Sequence, residues 1–183
     1  TFAMHRTVDV AYGSAAKRKK IIQQGAEYVI VNYDGVEIVA DEIAKGGFDL
    51  IIADEATHYK NAQTRRWKVL NSLLTPKTWV WMMTGTPAAQ SPLDAYGLAK
   101  IINPNAVPRF FSSFRDQVMV KITQFKWVPK DSAVDVVFNA LQPAIRFTKD
   151  ECLDLPDMVY VKREVEMTRQ QKKYYQQLKE KMV

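Results

Sequence analysis

The sequence predicts an α/β protein: a parallel sheet flanked by helices, followed by a mostly helical segment. Three observations carry that expectation. Residues 27–33 (EYVIVNY), 48–53 (FDLIIA) and 78–84 (TWVWMMT) are continuous apolar runs of strand length, which suits strands buried on both faces. Stretches with helical spacing and good caps lie between them. After Asn103-Pro104 this alternation stops. At 183 residues and 47% hydrophobic, the chain can bury a substantial core and makes one domain and a fraction.

The elements follow in order. A weaker strand is expected over 7–12. Ser14 can cap a basic helix holding Lys17, Arg18, Lys19 and Lys20, read as a solvated face. Asn61 can cap the next, with Trp67, Leu70 and Leu74 on one side. Ser91-Pro92 puts a hydroxyl cap and a pre-set φ at a helix start, and Ala95, Leu98, Ala99 and Ile102 then repeat at helical spacing. Beyond 104, Pro108, Phe110-Phe111 and a lysine and aromatic stretch through Trp127 and Pro129 show no clean period. A helix is expected over 132–141 with Val134, Val137, Phe138 and Leu141 on one face. A turn at Asp154-Leu155-Pro156, a strand over 158–165 and a helix from about Arg169, capped by Thr168, complete the chain. The resulting divisions are 1–104, 105–156 and 157–183. Trp67, Trp79 and Trp81 sit in apolar surroundings and are expected in the core; Trp127, near Lys126 and Lys130, is the better stacking candidate.

Charge points to a polyanionic partner. Lys and Arg number 26 against 20 Asp and Glu, a net +6. The signs are segregated: Asp34, Glu37, Asp41, Glu42, Asp49, Asp54 and Glu55 share their stretch with one base, Lys45. Residues 56–93 then hold no acid but Lys60, Arg65, Arg66, Lys68 and Lys77, read as a positive face behind an acidic pair. The single cysteine, Cys152, excludes an internal disulfide and makes an intracellular, reducing setting the default. With His5 and His58 it is too little for a structural zinc site. The longest apolar run, 79–83, is far short of a membrane span, so no membrane partner is expected, and nothing requires more than a monomer. The chain opens on Thr1 rather than methionine, which suggests a piece of something longer.

Chemistry concentrates in two segments. In 48–61 (FDLIIADEATHYKN) an apolar strand ends in Asp54-Glu55, so two carboxylates emerge at the carboxyl edge of a parallel sheet, where such folds bind ligands. Adjacent acids there suit phosphoryl transfer: one can hold magnesium, the other can polarise the attacking water. The plainer reading is that they solvate a loop. In 81–87 (WMMTGTP) a second strand ends in Thr84, Gly85 and Thr86, which would reach the same edge if the strands are parallel neighbours. The plainer reading there is a tight turn.

Together these segments resemble the first motor lobe of Swi/Snf-type ATPases, a branch of helicase superfamily two. Asp54-Glu55-Ala56-Thr57 is similar to the family's acidic motif, Lys60-Asn61 to its downstream pair, and Thr84-Gly85-Thr86-Pro87 to its hydroxyl motif. Residues 29–33 (VIVNY) resemble the strand ending in a nucleic-acid-facing motif at Tyr33. Residues 111–116 (FSSFRD), 141–149 (LQPAIRFTK) and 153–156 (LDLP) resemble the later part of lobe one, and 168–180 the helix opening lobe two. The resemblance implies a partial RecA-like, P-loop NTPase-type lobe over 1–104, an exit region over 105–156 and the start of a second lobe over 157–183. It implies ATP with Mg2+ in the complete parent, and double-stranded DNA, with proteins bound to it, as partner. Asp54 would hold the magnesium, Glu55 would act as general base, and Thr84, Gly85 and Thr86 would couple nucleotide state to the bound strand. Lys60, Arg65 and Arg66 are the charge-based candidates for phosphate contacts, joined by Asn61 and Tyr33.

The sequence departs from the family in places. Thr57 stands where many relatives have His or Gln, with His58, a polar loop residue, after it. Ala88-Ala89 replaces a bulkier, more polar pair. No Gly-x-x-x-x-Gly-Lys-Ser/Thr loop is present, and Gly46-Gly47 precedes a strand rather than a helix. A motor fragment without its phosphate loop is therefore expected, inactive as an isolated chain. Two other classes compete. One is a non-catalytic nucleic-acid-binding or docking module that keeps the fold. The other is a metal-dependent nuclease, a poorer fit because four residues rather than one separate Glu55 from Lys60.

Overall fold

The computed structural model describes residues 4–152 and 159–181. The chain divides into two compact units, Thr1–Ala144 and Ile145–Val183. The first runs β1 (Val8–Ala11), α1 (Ala15–Gln23), β2 (Tyr28–Val31), α2 (Tyr33–Val36), α3 (Ala40–Gly46), β3 (Leu50–Ala53), α4 (Arg65–Leu73), β4 (Trp79–Met82), α5 (Ala95–Ile102), α6 (Phe111–Val118), β5 (Met119–Lys121), β6 (Trp127–Pro129) and α7 (Ala133–Ala140). Single 3-10 turns occupy Ala56–Tyr59 and Pro92–Asp94.

The α/β class and the parallel direction of the first four strands agree with the sequence; a single sheet does not form. Among the described residues β1 pairs with β2 and β3 with β4, each parallel, and no ladder joins the two pairs. α1 and α3 close a small core around Ala11, Ile22 and Val39, with Ile21, Val29, Val31, Ile43 and Phe48 against it. The larger core gathers β3, β4 and α4 to α7 around Ala53, Leu70, Leu98, Phe114 and Val118.

The strands are not buried on both faces, contrary to the expectation from their unbroken apolar runs. Burial alternates, leaving Val8, Val10, Tyr28, Ile30, Ile52, Trp79 and Trp81 exposed. Within the described chain, helices cover one face of each pair. The other face is just as apolar, which erased the period-two signal. Trp79, at 73% exposure, and Trp81, at 56%, therefore lie outside the core that the described residues form. Trp67 is half-buried, and its indole N–H donates to the Gly97 carbonyl at 2.8 Å.

Caps behave as the sequence suggests in three places and shift in a fourth. Ser14 accepts from the Lys17 N–H at 3.4 Å and Ser91 from the Leu93 N–H at 3.3 Å. Asn61 does not cap α4; it folds a turn by accepting from the Gln63 N–H at 2.9 Å, and Thr64 caps instead through the Trp67 N–H at 3.3 Å. Gly46-Gly47 ends α3, with Gly47 at φ 68 in the left-handed position that stops helices. On α1, Arg18 and Lys19 are half-buried, bonded to Asn32 and Glu42, so the basic face is only partly solvated.

Two expectations beyond residue 104 need correction. The aperiodic lysine and aromatic stretch is an antiparallel hairpin, β5–β6, whose three-residue strands are too short to show a period. The stripe expected on α7 is borne out only in part: Val137 and Leu141 pack into the core as expected, but the rest of the buried side differs. Ala133 and Ala140 are buried with Val136 and Val137 beside them, while Val134 and Phe138 are exposed. That helix carries apolar residues on two sides, and the smaller ones fit against α5 and α6.

In the second unit, α8 (Lys149–Cys152) and α9 (Arg169–Lys181) are the regular elements among the described residues. The Thr168 hydroxyl accepts from the Gln171 N–H at 3.3 Å, and the Gln171 side-chain oxygen Oε1 accepts from the Thr168 N–H at 2.9 Å, a reciprocal N-terminal cap. Residues 159–168 form no strand. The Asp154-Leu155-Pro156 turn lies outside the described residues. Among the described residues no helix is long and apolar enough to cross a membrane.

Candidate functional site

The site grows from the β3–β4 pair. Its register, Leu50 opposite Trp79 to Ala53 opposite Met82, carries on past the strand ends: the Met83 N–H donates to the Ala53 carbonyl at 2.9 Å, and the Ala56 N–H to the Met83 carbonyl at 2.8 Å. Asp54-Glu55 therefore leaves the carboxyl end of β3 beside the turn in which Thr84, Gly85 and Thr86 leave β4. The sequence required parallel, neighbouring strands to bring these two segments together, and the structure supplies them. Both carboxylates are exposed. The Thr84 hydroxyl accepts from the Thr86 N–H at 3.1 Å, so it holds its own turn.

Backbone geometry sets Glu55 apart. One Asp54 carboxylate oxygen accepts from the Glu55 N–H at 3.0 Å, and Glu55 lies at φ 51, ψ 53. For a residue with a Cβ the left-handed region costs about 1–2 kcal/mol. Two neighbouring bonds hold it there, Ala56 N–H to Met83 and the Tyr33 hydroxyl to the Asp54 carbonyl. Glycine escapes that cost, so Glu55→Gly is expected to be more stable than Glu55→Ala by about 1 kcal/mol in denaturant unfolding. Equal stabilities would mean the strain is absent.

Behind the acids sits a cluster that the sequence reading missed in part. The Tyr33 ring packs on His58 at 4.4 Å between centroids and on Tyr59 at 5.3 Å. Arg66 lies 5.4 Å from the Tyr33 ring centre, 3.1 Å from His58 Nδ1 and 2.6 Å from an Asp34 oxygen. Burial raises the Tyr33 pKa, helped by the nearby Asp54 charge, and pushes Tyr59 up to about 12. Both phenols therefore stay protonated at neutral pH, and Tyr33 remains a donor to the acidic loop.

The other cations expected to meet phosphate are also partnered. Lys60 Nζ lies 3.3 Å from Asp94 and donates to Gln90 at 3.2 Å, which ties the loop after the acids to the segment after the hydroxyl turn. Arg65 pairs with Glu37 and stays 81% exposed. The basic stretch after residue 56 is thus partly neutralised by the acidic stretch before it, because α2 packs on α4. The visible signal was spacing: Asp34 and Glu37 stand one helical turn apart and face the Arg65-Arg66 dipeptide. Asn61, exposed, serves the turn that leads into α4.

Among the described residues no group of three or more His, Cys, Asp or Glu is arranged to hold a metal ion. A pair of exposed carboxylates still fits magnesium, which keeps several waters and takes one or two carboxylates together with substrate phosphates.

Comparison with known proteins defines the class. The model of the SNF2-related domain matches residues 2–183. The chain belongs to the SNF2-related domain family. It is 31% identical over 75 residues to the DNA repair and recombination protein RAD54-like of Gallus gallus, covering 41% of this chain and 10% of that protein. It is 35% identical over 81 residues to the SWI/SNF-related matrix-associated actin-dependent regulator of chromatin subfamily A-like protein 1 of Xenopus tropicalis, covering 44% and 8%. Over 185 residues, 92% of this chain and 12% of the relative, it is 25% identical to the chromatin-remodeling ATPase INO80 of Lodderomyces elongisporus. The chain thus spans about a tenth of the length of these relatives.

Proposed function

We propose that these residues form part of an ATP-driven motor that moves along double-stranded DNA and remodels what is bound there. The observation that carries the reading is the parallel β3–β4 register, which sets Asp54-Glu55 beside the Thr84-Gly85-Thr86 turn. ATP hydrolysis requires water oxygen to bond to the γ-phosphorus while the bond to the β-phosphate oxygen breaks and ADP leaves. Glu55, with no hydrogen bond committing its carboxylate among the described residues, takes the proton from that water. Asp54 would hold Mg2+, which when bound neutralises charge on the phosphates. Thr84 and Thr86 couple the nucleotide to the DNA side.

The phosphate loop is taken from outside these 183 residues, within a RecA-like lobe completed by the parent polypeptide. The exposed apolar sheet faces support this, since Val8, Val10, Ile30, Ile52 and Trp81 suit helices contributed by that completion. Tyr33, Lys60, Asn61, Arg65 and Arg66 are assigned to the DNA side. The Arg65–Glu37 pair is solvent-facing, and such pairs are worth about 0–1 kcal/mol, so a phosphate can displace the acid. The setting is intracellular, the working unit a monomer.

Phosphate release by the complete parent polypeptide, with and without duplex DNA, tests the reading. DNA-stimulated turnover is expected, and none from the 183-residue chain alone. Glu55-dependent turnover by the isolated chain, or a parent indifferent to DNA, would count against it.

A further inference from the structure

The β5–β6 hairpin has no role in that motor chemistry, yet it presents the most exposed large apolar side chain among the described residues. Phe125, at 90% exposure, stands on the turn between the two strands. The turn is well closed: the Ile122 N–H donates to the Lys126 carbonyl at 2.9 Å, and the Thr123 hydroxyl accepts from the Phe125 and Lys126 N–H groups at 3.3 and 3.1 Å. A tied turn holds the ring out in water at no gain to the fold. Trp127, the stacking candidate from sequence, is not similarly free, because the Arg115 guanidinium covers its ring at 4.2 Å and Lys121 Nζ lies 6.0 Å from it.

Along the chain, the hairpin that carries Phe125 holds charges of one sign, between the flanking acids Asp116 and Asp131. Residues 117–130 contain Lys121, Lys126 and Lys130 and no acid. Lys121 and Lys126 make no ion pair among the described residues. The neighbouring Asp116 is engaged, pairing with Arg115 at 3.1 Å and accepting from Lys130 Nζ through its carbonyl at 2.6 Å. An exposed aromatic face on a turn with cations outside any ion pair among the described residues fits a strand with accessible bases and a charged backbone. A paired duplex offers the backbone but keeps its base faces stacked.

We propose that this hairpin tip binds single-stranded nucleic acid, with Phe125 stacking on an unpaired base and Lys121 and Lys126 on the flanking phosphates. The proposal takes the nucleic-acid partner from the function proposed above and adds a second, single-strand contact away from the acidic pair.

The test is fluorescence anisotropy of the 183-residue chain with a labelled mixed-sequence single-stranded oligonucleotide at several salt concentrations. Phe125→Ala is expected to weaken binding about tenfold without changing the salt slope, the size of loss seen when a stacked base loses its ring. Phe125→Leu should lose nearly as much, since it keeps the apolar bulk but has no ring face. Lys121→Gln with Lys126→Gln should lower the slope of log K against log salt by about 1.4, at about 0.7 for each single-strand phosphate contact. Phe125 is solvated, so circular dichroism of these variants should match the parent chain. Full binding by Phe125→Leu would overturn the proposal in favour of an apolar protein-docking tip. Unchanged binding by Phe125→Ala, an equal loss on blunt duplex, or no binding by the unaltered chain would also overturn it. The motor reading stands or falls separately, on Glu55-dependent ATP turnover, which Phe125 does not enter.

Discussion

Gly97→Ala is expected to destabilise the chain by about 3 kcal/mol, at the upper end of the usual cost of overpacking. A Cβ at this position would lie 2.3 Å from the carbonyl oxygens of both Tyr59 and Lys60 and 2.5 Å from the Lys60 carbonyl carbon. These are backbone atoms of the loop that follows the acidic pair, so no flexible side-chain end can give way. The Gly97 N–H also donates to the Lys60 carbonyl at 3.1 Å, and its own carbonyl accepts from Trp67 of α4 at 2.8 Å, so α5 is held both on the loop and on α4. Inside a helix, glycine to alanine ordinarily stabilises by about 1 kcal/mol through propensity. Here the clash outweighs that gain. At roughly 2–4 °C per kcal/mol for a chain of this size, thermal unfolding should move down by about 6–12 °C. An unchanged or raised melting temperature would mean that α5 does not approach the loop this closely.

The second large effect is chemical. Glu55→Gln is expected to lower ATP turnover by the complete parent about 10²- to 10⁴-fold, the usual contribution of a positioned general base. Glutamine keeps the length and hydrogen-bonding reach of glutamate and leaves the Asp54 carboxylate in place. Nucleotide and DNA binding should therefore survive in the variant, confining the loss to the chemical step. A variant that turned over normally would remove Glu55 from the role proposed for it.

Much of this site was legible because its information is local. Apolar runs ending in Asp54-Glu55 and in Thr84-Gly85-Thr86 mark two strands to within a few residues. The hydroxyls of Ser14, Ser91 and Thr168 mark three helix starts through bonds that span two or three residues. What stayed hidden depends on partners distant in the chain. Trp79 and Trp81 look like core from their neighbours and are exposed because helices cover only one face of their pair. Arg65 and Arg66 look like an unopposed positive face until α2 brings Glu37 and Asp34 to them. The Tyr33–His58–Arg66 cluster draws on three segments, none of which carries the signal alone. On α7, two apolar stripes compete, and only packing volume selects Ala133 and Ala140 over Val134 and Phe138.

The acidic pair is proposed to work on a nucleotide rather than on the nucleic acid itself. The deciding reaction holds the complete parent with ATP, magnesium and duplex DNA and is followed at once for phosphate released and for the integrity of the DNA. Phosphate release that depends on Glu55, with the DNA left uncut, is the expected result. DNA cleavage without ATP, lost on Glu55→Gln, would contradict the claim and assign the same two carboxylates to a nuclease.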